Sequence, residues 1–201
     1  MILLTGFEPF EGLSSNASWL AVQEVAARWT GDDRLETREL PVSFRGARQV
    51  LRSAVAELAP SLVIGAGEAG GRSAVGIERV AVNLMDARIP DNDGWSPVDM
   101  PVIAGAPAAF FSTLPVKACA AAGRAVDVPV EVSYSAGTFV CNATFYALQH
   151  LLASRPEVRS GFVHVPRSGL STEDVATALL AIVRAAVSTT DDDRVAAGTL
   201  S

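Results

Sequence analysis

The stretch Ser61-Leu-Val-Ile-Gly-Ala66 decides the fold. It is apolar from end to end, which is typical of a strand in a parallel sheet covered by helices on both faces. Similar apolar runs recur along the chain and alternate with helical patterns. We predict further strands at 1–5, 35–40, 76–84, 130–134 and 161–165, and helices at 16–28, 45–58, 116–124, 141–153 and 172–187.

This alternation of strands and helices predicts an α/β sandwich with a largely parallel central sheet. Ligands of such folds bind at the carboxyl ends of the strands. We therefore expect a site on one edge of the sheet, formed by the segments after Thr5, Ala66, Leu84, Tyr134 and Val165. Residues 1–188 are predicted to form one domain, followed by a disordered acidic tail over residues 189–201.

Composition excludes several classes of protein. The chain has 201 residues, of which 49% are hydrophobic and 19% charged, so it is not intrinsically disordered. Its net charge of −6 argues against a nucleic-acid partner bound through phosphates. No apolar run approaches the roughly 18 residues of a membrane span, and the first residues lack the basic segment of a signal peptide. We expect a cytoplasmic protein without membrane contact.

Cys141 is the first candidate for chemistry. It lies where a predicted strand and a turn of small residues lead into a helix, in Ser133-Tyr-Ser-Ala-Gly-Thr-Phe-Val-Cys141-Asn. Partial positive charge and free N–H groups at a helix N-terminus favour a thiolate and an oxyanion. The alternative is a buried cysteine acting as a small hydrophobic residue. Cys119, inside an alanine-rich helix, is predicted to lie in the core.

Two histidines are available as a base for this thiol. His164 ends a predicted strand at the edge assigned to the site, whereas His150 lies well along a helix and is expected to be partly exposed. A Cys–His couple needs a third group to orient the imidazole. Glu78, within an apolar strand, is the candidate, although it could equally pair with Arg79. The alternative interpretation of His164 is a histidine buried in the hydrophobic core without a catalytic role.

Two loop regions give a weaker indication of a binding site. Gly65-Ala-Gly-Glu-Ala-Gly-Gly71 matches a phosphate-binding loop only in part, because it lacks the Gly-Lys-Ser/Thr ending. A glycine-rich turn that lets backbone groups approach a small ligand fits equally well. Residues 85–113 form a long irregular region of the kind that often carries function. No Cys/His cluster has metal-ligand spacing, so we expect no metal and no cofactor.

Seven segments together resemble the pyroglutamyl peptidase I family of cysteine peptidases. They occur in the family's order and spacing between residues 1 and 166, which makes the resemblance specific. The segments are Thr5-Gly-Phe-Glu-Pro-Phe10, Gly67-Glu-Ala-Gly-Gly-Arg72, Glu78-Arg-Val-Ala-Val-Asn83, Asp86-Ala-Arg-Ile-Pro-Asp-Asn92, Pro107-Ala-Ala-Phe-Phe-Ser-Thr-Leu-Pro115, Ser135-Ala-Gly-Thr-Phe-Val-Cys-Asn142 and Gly161-Phe-Val-His-Val-Pro166.

The resemblance implies a three-layer α/β/α sandwich with a mixed, largely parallel sheet. It also implies removal of N-terminal pyroglutamate from peptides by a triad of Glu78, Cys141 and His164 through a thioester. Arg88 resembles the family's oxyanion-hole arginine, although it could simply pair with Asp86 or Asp91.

The resemblance also implies an apolar slot for the lactam ring of pyroglutamate. The side chains expected to line it are Phe7, Phe10, Ser43, Ile89, Phe139 and Val140. The backbone around Glu68 would form hydrogen bonds with the lactam. Because the family typically forms homo-oligomers, a homo-oligomer is among the expectations.

The chain departs from the family's pattern in four places. Glu68 stands where the family usually has Gln, Gly76 where it has Ser or Thr, and Ala17 where it has Pro. The segment from Pro166 to Asp174 is shorter than usual. We expect the added carboxylate of Glu68 to raise the pKa of the Cys141 thiol by like-charge repulsion.

Two other functions remain as alternatives. One is a nucleoside phosphorylase-like enzyme on a related α/β fold, which would need a phosphate site and has no use for a Cys–His–Glu triad. The other is a non-catalytic binding protein on the same scaffold.

Overall fold

The computed structural model describes residues 1–198 of the chain. It contains strands β1 (Ile2–Phe7), β2 (Leu35–Leu40), β3 (Leu62–Ala69), β4 (Val75–Glu78), β5 (Val80–Val82), β6 (Ala109–Phe111), β7 (Val130–Ser133) and β8 (Arg159–Pro166). The helices are α1 (Ala17–Arg28), α2 (Gly46–Leu58), α3 (Val116–Arg124), α4 (Val140–Leu152) and α5 (Thr172–Ser188).

Six strands form a mixed central sheet in the order β2-β1-β3-β8-β4-β7. Pairing is parallel throughout except between β4 and β8, which are antiparallel. The apolar stretch 61–66 becomes β3, which lies between β1 and β8 and has all of its first six residues buried. The largely parallel, mixed sheet predicted from the sequence is confirmed.

Helices cover both faces of this sheet and complete the three layers. Helices α1, α3 and α5 pack with one another on one face, and α2 packs with α4 on the other. Alternate residues of a strand belong to two different hydrophobic cores, because successive side chains point to opposite faces of the sheet. Leu4 and Ile64 belong to the core under α1, α3 and α5, whereas Leu3 and Val63 belong to the core under α2 and α4.

Local sequence sets the ends of several helices. Asn16 caps α1 by accepting a hydrogen bond from the backbone of Ser18 at 3.0 Å. Ser171 and Asp174 form a reciprocal capping box at the start of α5. Helix α2 ends at Ala59, which adopts a left-handed φ of 43° directly before Pro60.

The predicted strand 76–84 is in fact two strands separated at Arg79. Strand β4 belongs to the central sheet, while β5 pairs with β6 in a separate two-stranded sheet. The region 85–113, predicted to be irregular, therefore contributes one short strand. The break was missed because apolar residues stand on both sides of the charged pair Glu78-Arg79, and no glycine or proline marks it.

The antiparallel pairing of β4 also corrects the predicted edge of the sheet. Strands β4 and β7 run opposite to the other four, so the segments after Leu84 and Tyr134 do not follow strand ends at the edge reached by β1, β3 and β8. That part of the prediction is wrong. The strand register brings Glu78 close to His164 instead. Gly76 pairs with His164, and Glu78 lies two residues further along β4, on the same face of the strand.

Asp192 lies in the tail that was predicted to be disordered, but its side chain makes specific contacts. Its carboxylate accepts hydrogen bonds from the backbone of Lys117 at 2.9 Å and of Ala118 at 3.1 Å, at the start of α3. Pro115, at the N-cap, offers no side-chain acceptor, so Asp192 takes that role. Residues 199–201 of the predicted tail lie outside the described residues, and the division at residue 188 stays a prediction.

No helix within residues 1–198 is both long and apolar enough to cross a membrane.

Candidate active site

Cys141 lies in the first turn of α4. The helix begins at Val140, after Phe139 in extended conformation with no side-chain cap, so the first backbone N–H groups have no intrahelical partner. The sulfur packs over the backbone of β3 at Gly67, where a Cβ would come within 2.7 Å of Sγ. A glycine at this position is therefore what allows α4 to bring the thiol down onto the sheet.

His164 and Glu78 form a buried hydrogen-bonded pair on neighbouring strands. Nδ1 of His164 lies 2.7 Å from Oε1 of Glu78, whose side chain is 0% exposed. Because a carboxylate only accepts hydrogen bonds, this contact fixes Nδ1 as the protonated nitrogen of a neutral ring and leaves Nε2 as the free base. The alternative pairing of Glu78 with Arg79 is not observed: Arg79 contacts Asp192 and the ring of Phe111 instead.

The sheet register brings the thiol and this pair to one place. On β3 and β8, Gly67 is the register partner of His164, and Gly67 is the residue under the Cys141 sulfur. The charge of Glu78 acts on the thiol in the same small region. Glu78, Cys141 and His164, of which the first and last are 86 positions apart, therefore share one site.

The electrostatics of the thiol differ from the expectation that a helix N-terminus favours a thiolate. The pKa of Cys141 is raised to about 12, first by burial and then by the Glu78 carboxylate. The positive charge of Arg72 and a backbone hydrogen bond lower this pKa, but they do not outweigh the first two causes. Glu68 raises the pKa of Cys141 as well, and that expected direction is confirmed. The thiol of Cys141 is therefore protonated at neutral pH.

A cavity of about 170 Å³ opens beside the sulfur. An apolar cavity of roughly 150 Å³ holds a benzene ring, so this one is sized for a single small ring. Its wall is lined by Phe7, Phe10, Asn16, Val42, Glu68, Gly70, Phe139, Val140, Cys141 and Arg167. The rings of Phe10 and Phe139 lie 5.4 Å apart, centroid to centroid. Of the residues that the resemblance assigns to the slot, Phe7, Phe10, Glu68, Phe139 and Val140 line this cavity.

Five predicted site residues do not line this cavity: Glu78 and His164, which form the buried pair beside it, and Ser43, Arg88 and Ile89. The Ser43 hydroxyl is engaged elsewhere: it caps α2 through the backbone of Gly46 at 2.9 Å and bonds the Asp93 carboxylate. Arg88 and Ile89 are exposed in the segment between β5 and β6. Among the described residues Arg88 forms no hydrogen bond or ion pair, so the alternative pairing with an aspartate is not observed either.

The edge of the cavity carries a network that links three of the departures from the family's pattern. Glu68 accepts a hydrogen bond from the backbone N–H of Ala17 at 2.7 Å, which a proline at this position could not donate. The other oxygen of Glu68 bonds Nε of Arg167 at 2.5 Å. Arg167, in the short segment after β8, also reaches Glu11 at 2.9 Å. The two carboxylates raise the pKa of the Arg167 guanidinium above its ordinary value.

Strand β3 also offers backbone groups to this cavity. It pairs with β8 as far as Ala69 but with β1 only as far as Gly65. Along the β1 side of residues 66–69, the backbone therefore has no strand partner among the described residues. Such an edge can form hydrogen bonds with a ligand.

The remaining candidates lie apart from the site. Cys119 is fully buried between α3 and α5, and burial raises the pKa of its thiol to about 12. His150 is exposed on α4, and it borders a larger cavity of about 490 Å³ that contains none of the predicted site residues. Within residues 1–198, no group of three or more His, Cys, Asp or Glu side chains is arranged to hold a metal ion.

Sequence reasoning missed several residues of the site. Asn16, Val42, Gly70 and Arg167 line the cavity, and Arg72 bonds Glu78. Asn16 was predicted only as the start of a helix, and Gly70 only as part of a glycine-rich turn whose backbone could approach a small ligand. Nothing in the local sequence around Arg72 or Arg167 indicates their carboxylate partners, which are brought close by the sheet.

An α/β sandwich with a cysteine at a helix start, beside a buried imidazole–carboxylate pair, has the arrangement typical of a cysteine hydrolase. Comparison with known proteins agrees with this class. The family model of pyroglutamyl peptidase matches residues 1–179. The chain belongs to the pyroglutamyl peptidase family.

Individual relatives are similar over nearly the whole chain. A pyrrolidone-carboxylate peptidase of Clavibacter michiganensis subsp. michiganensis is 50% identical, over 99% of this chain and 98% of its own. The crystal structure of pyroglutamyl peptidase I from Bacillus amyloliquefaciens superposes with a TM-score of 0.91 at 38% identity, covering 96% of this chain and 98% of that one. Pyrrolidone carboxyl peptidase from Thermococcus litoralis gives 0.92 at 32% identity, covering 97% and 98%.

Proposed function

We propose that this chain hydrolyses the amide bond after an N-terminal pyroglutamyl residue of a peptide. Cys141 is the nucleophile, His164 the general base and then the general acid, and Glu78 the group that orients the imidazole. The observation that carries the proposal is the 2.7 Å contact between His164 and Glu78, next to Gly67, the register partner of His164 on which the Cys141 sulfur packs.

The raised pKa of the thiol determines how the first step proceeds. A thiol whose pKa is about 12 is almost entirely protonated at neutral pH, so attack needs transfer of its proton. Nε2 of His164 takes that proton as sulfur bonds the scissile carbonyl carbon, and Glu78 stabilises the imidazolium that results. The carbonyl oxygen becomes an oxyanion near the N-terminus of α4, where the backbone N–H of Cys141 supports it.

The second half of the reaction regenerates the enzyme. The imidazolium of His164 protonates the leaving amine, the C–N bond breaks, and a thioester to Cys141 remains. Water then gives a proton to His164 and attacks the thioester, which releases pyroglutamate and restores the thiol. The predicted contribution of Arg88 to the oxyanion stays a prediction, since its side chain lies outside the cavity.

The cavity suits a neutral lactam ring. Phe10 and Phe139 provide apolar walls at the spacing of an aromatic pair, and the volume of about 170 Å³ admits a single ring. The unpaired backbone edge at residues 66–69, which includes Glu68, can bond the lactam N–H and C=O. The partner is therefore a peptide that begins with pyroglutamate. A cytoplasmic location and a homo-oligomeric state stay predictions.

Hydrolysis of a fluorogenic pyroglutamyl amide tests the proposal, with a prolyl amide as the substrate control. Wild type and Cys119→Ala should both release the fluorophore from the pyroglutamyl substrate alone, and Cys141→Ala should release none. Folded, reduced protein that is inactive on this substrate would exclude the function. It would then favour a binding protein or a phosphorylase-like enzyme, the two alternatives.

A further inference from the structure

The Glu78 carboxylate has a second partner besides His164. Nη2 of Arg72, in the loop between β3 and β4, lies 2.7 Å from Oε1 of Glu78, the same oxygen that contacts Nδ1 of His164. The same nitrogen also donates to Oγ of Ser133 at 3.1 Å and to the carbonyl oxygen of Ser135 at 2.9 Å. The guanidinium is thus anchored on β7 while it contacts the carboxylate.

Gly76 is what makes this approach possible. A Cβ at position 76 would collide with Nη1 of Arg72, since the guanidinium lies directly over the backbone of β4. Gly76 is also the register partner of His164. Any side chain at this position would displace the guanidinium from the carboxylate, without removing its charge from the chain.

The contact meets an energetic need of the site. Glu78 is completely buried, and a buried carboxylate requires a counter-charge because it has lost its hydration. The neutral imidazole of His164 does not supply one. Arg72, whose side chain is mostly buried, is the cation in contact with this carboxylate.

Arg72 also fixes the position of the oxygen that the imidazole contacts. Its guanidinium and Nδ1 of His164 both contact Oε1 of Glu78, so the arginine holds this oxygen beside the imidazole N–H. The other ionisable groups facing this region are the thiol of Cys141 from α4 and the carboxylate of Glu68 from β3. Arg79, the next residue after Glu78, points away towards Asp192 and Phe111.

We infer that Arg72 is a positioning residue of the hydrolytic site: it holds the ionised Glu78 carboxylate against Nδ1 of His164, and Gly76 leaves the space in which it does so. The catalytic part of this inference rests on the proposed function. The contact of Arg72 with Glu78 and its effect on His164 are properties of the protein without substrate. They can therefore be tested without a substrate.

The test is the nitrogen-15 nuclear magnetic resonance spectrum of His164 on protein labelled at histidine, because the shifts of the two ring nitrogens report which one carries the proton. The chain has two histidines, so the spectrum of His150→Gln assigns the resonance of His164. Arg72→Gln removes the neighbouring charge, and Gly76→Ser displaces it. Arg72→Lys keeps the positive charge but lacks the planar guanidinium group. Arg79→Gln is the control for the loss of an arginine elsewhere on the protein.

We expect wild-type His164 to carry its proton on Nδ1, and Arg72→Gln to lose most of that preference, because the carboxylate that accepts the Nδ1 proton is no longer held in place. Gly76→Ser should lose it to a smaller extent, Arg72→Lys should largely restore it, and Arg79→Gln should leave it unchanged. A role in stability alone would lower the melting temperature without changing the tautomer.

Kinetics with a pyroglutamyl amide supply the second readout. In Arg72→Gln, kcat should fall at least about tenfold while KM changes less than about twofold, since Arg72 does not line the cavity. An unchanged His164 tautomer in folded Arg72→Gln overturns the inference, and an unchanged tautomer in Gly76→Ser overturns the part assigned to Gly76. If wild type is inactive on the amide, the proposed function fails, whereas the nitrogen spectrum still decides the inference.

Discussion

Replacement of Glu78 by Gln separates two opposite effects of this carboxylate. Glu78 stabilises the imidazolium that His164 becomes, but it also raises the pKa of the Cys141 thiol. With Oε1 and Nδ1 2.7 Å apart, the two charge centres are separated by about 4 Å. At an effective dielectric constant of about 20 this contributes about 4 kcal/mol, or about 10³-fold in rate.

The repulsion between Glu78 and the thiolate acts in the other direction but is weaker, because burial is the first cause of the raised thiol pKa. We therefore expect kcat of Glu78→Gln to fall by about 10²- to 10³-fold, while the thiol of Cys141 titrates at a lower pH than in wild type. A variant with better thiolate formation and worse catalysis would show that imidazolium stabilisation dominates.

The assay is hydrolysis of a pyroglutamyl amide under single-turnover and steady-state conditions, combined with the pH dependence of thiolate absorbance. Cys119→Ala serves as the background so that Cys141 is the titrating thiol. Glu57→Gln, at an exposed glutamate on α2, is the control for loss of one carboxylate. A fall in kcat of less than about tenfold in folded Glu78→Gln would refute the assigned role of this residue.

Three further predictions follow from the site and its supports. Gly67→Ala places a methyl group against the Cys141 sulfur, so kcat should fall about 10²-fold through misplacement of the nucleophile, measured beside an unchanged far-ultraviolet spectrum. Glu68→Gln removes a carboxylate that raises the pKa of the Cys141 thiol, so the pH profile of its alkylation by iodoacetamide should move to lower pH; coincident profiles would contradict this. Asp192→Ala removes the acceptor at the start of α3 and should cost about 1 kcal/mol of unfolding free energy in urea denaturation, with activity unchanged.

The residues that sequence could identify are those whose role is set by their own segment. Cys141 follows a turn into a helix, and His164 ends an apolar strand; both positions can be recognised from local pattern. Glu78 was a candidate because a carboxylate in an apolar strand needs a partner. The partner itself came from the register of β4 against β8, which local sequence does not encode.

The features of the site that could not be predicted from sequence depend on contacts between residues far apart in the chain. Arg167 bonds Glu68 across 99 positions, and this ion pair exists only because β3 and β8 end side by side. The thiol pKa was misjudged for the same reason: the helix N-terminus is visible in sequence, whereas burial against β3 and the charge of Glu78 are not. Ser43 was placed in the slot by resemblance, but its hydroxyl caps α2.

The covalent intermediate tests the central claim most directly. Wild-type protein mixed with excess pyroglutamyl amide, quenched in acid within the first turnovers and analysed by mass spectrometry, should carry one pyroglutamyl group. Peptide mapping should place that group on Cys141 in both wild type and Cys119→Ala. Rapid hydrolysis with no adduct on Cys141, or with the adduct on Cys119, would contradict the account.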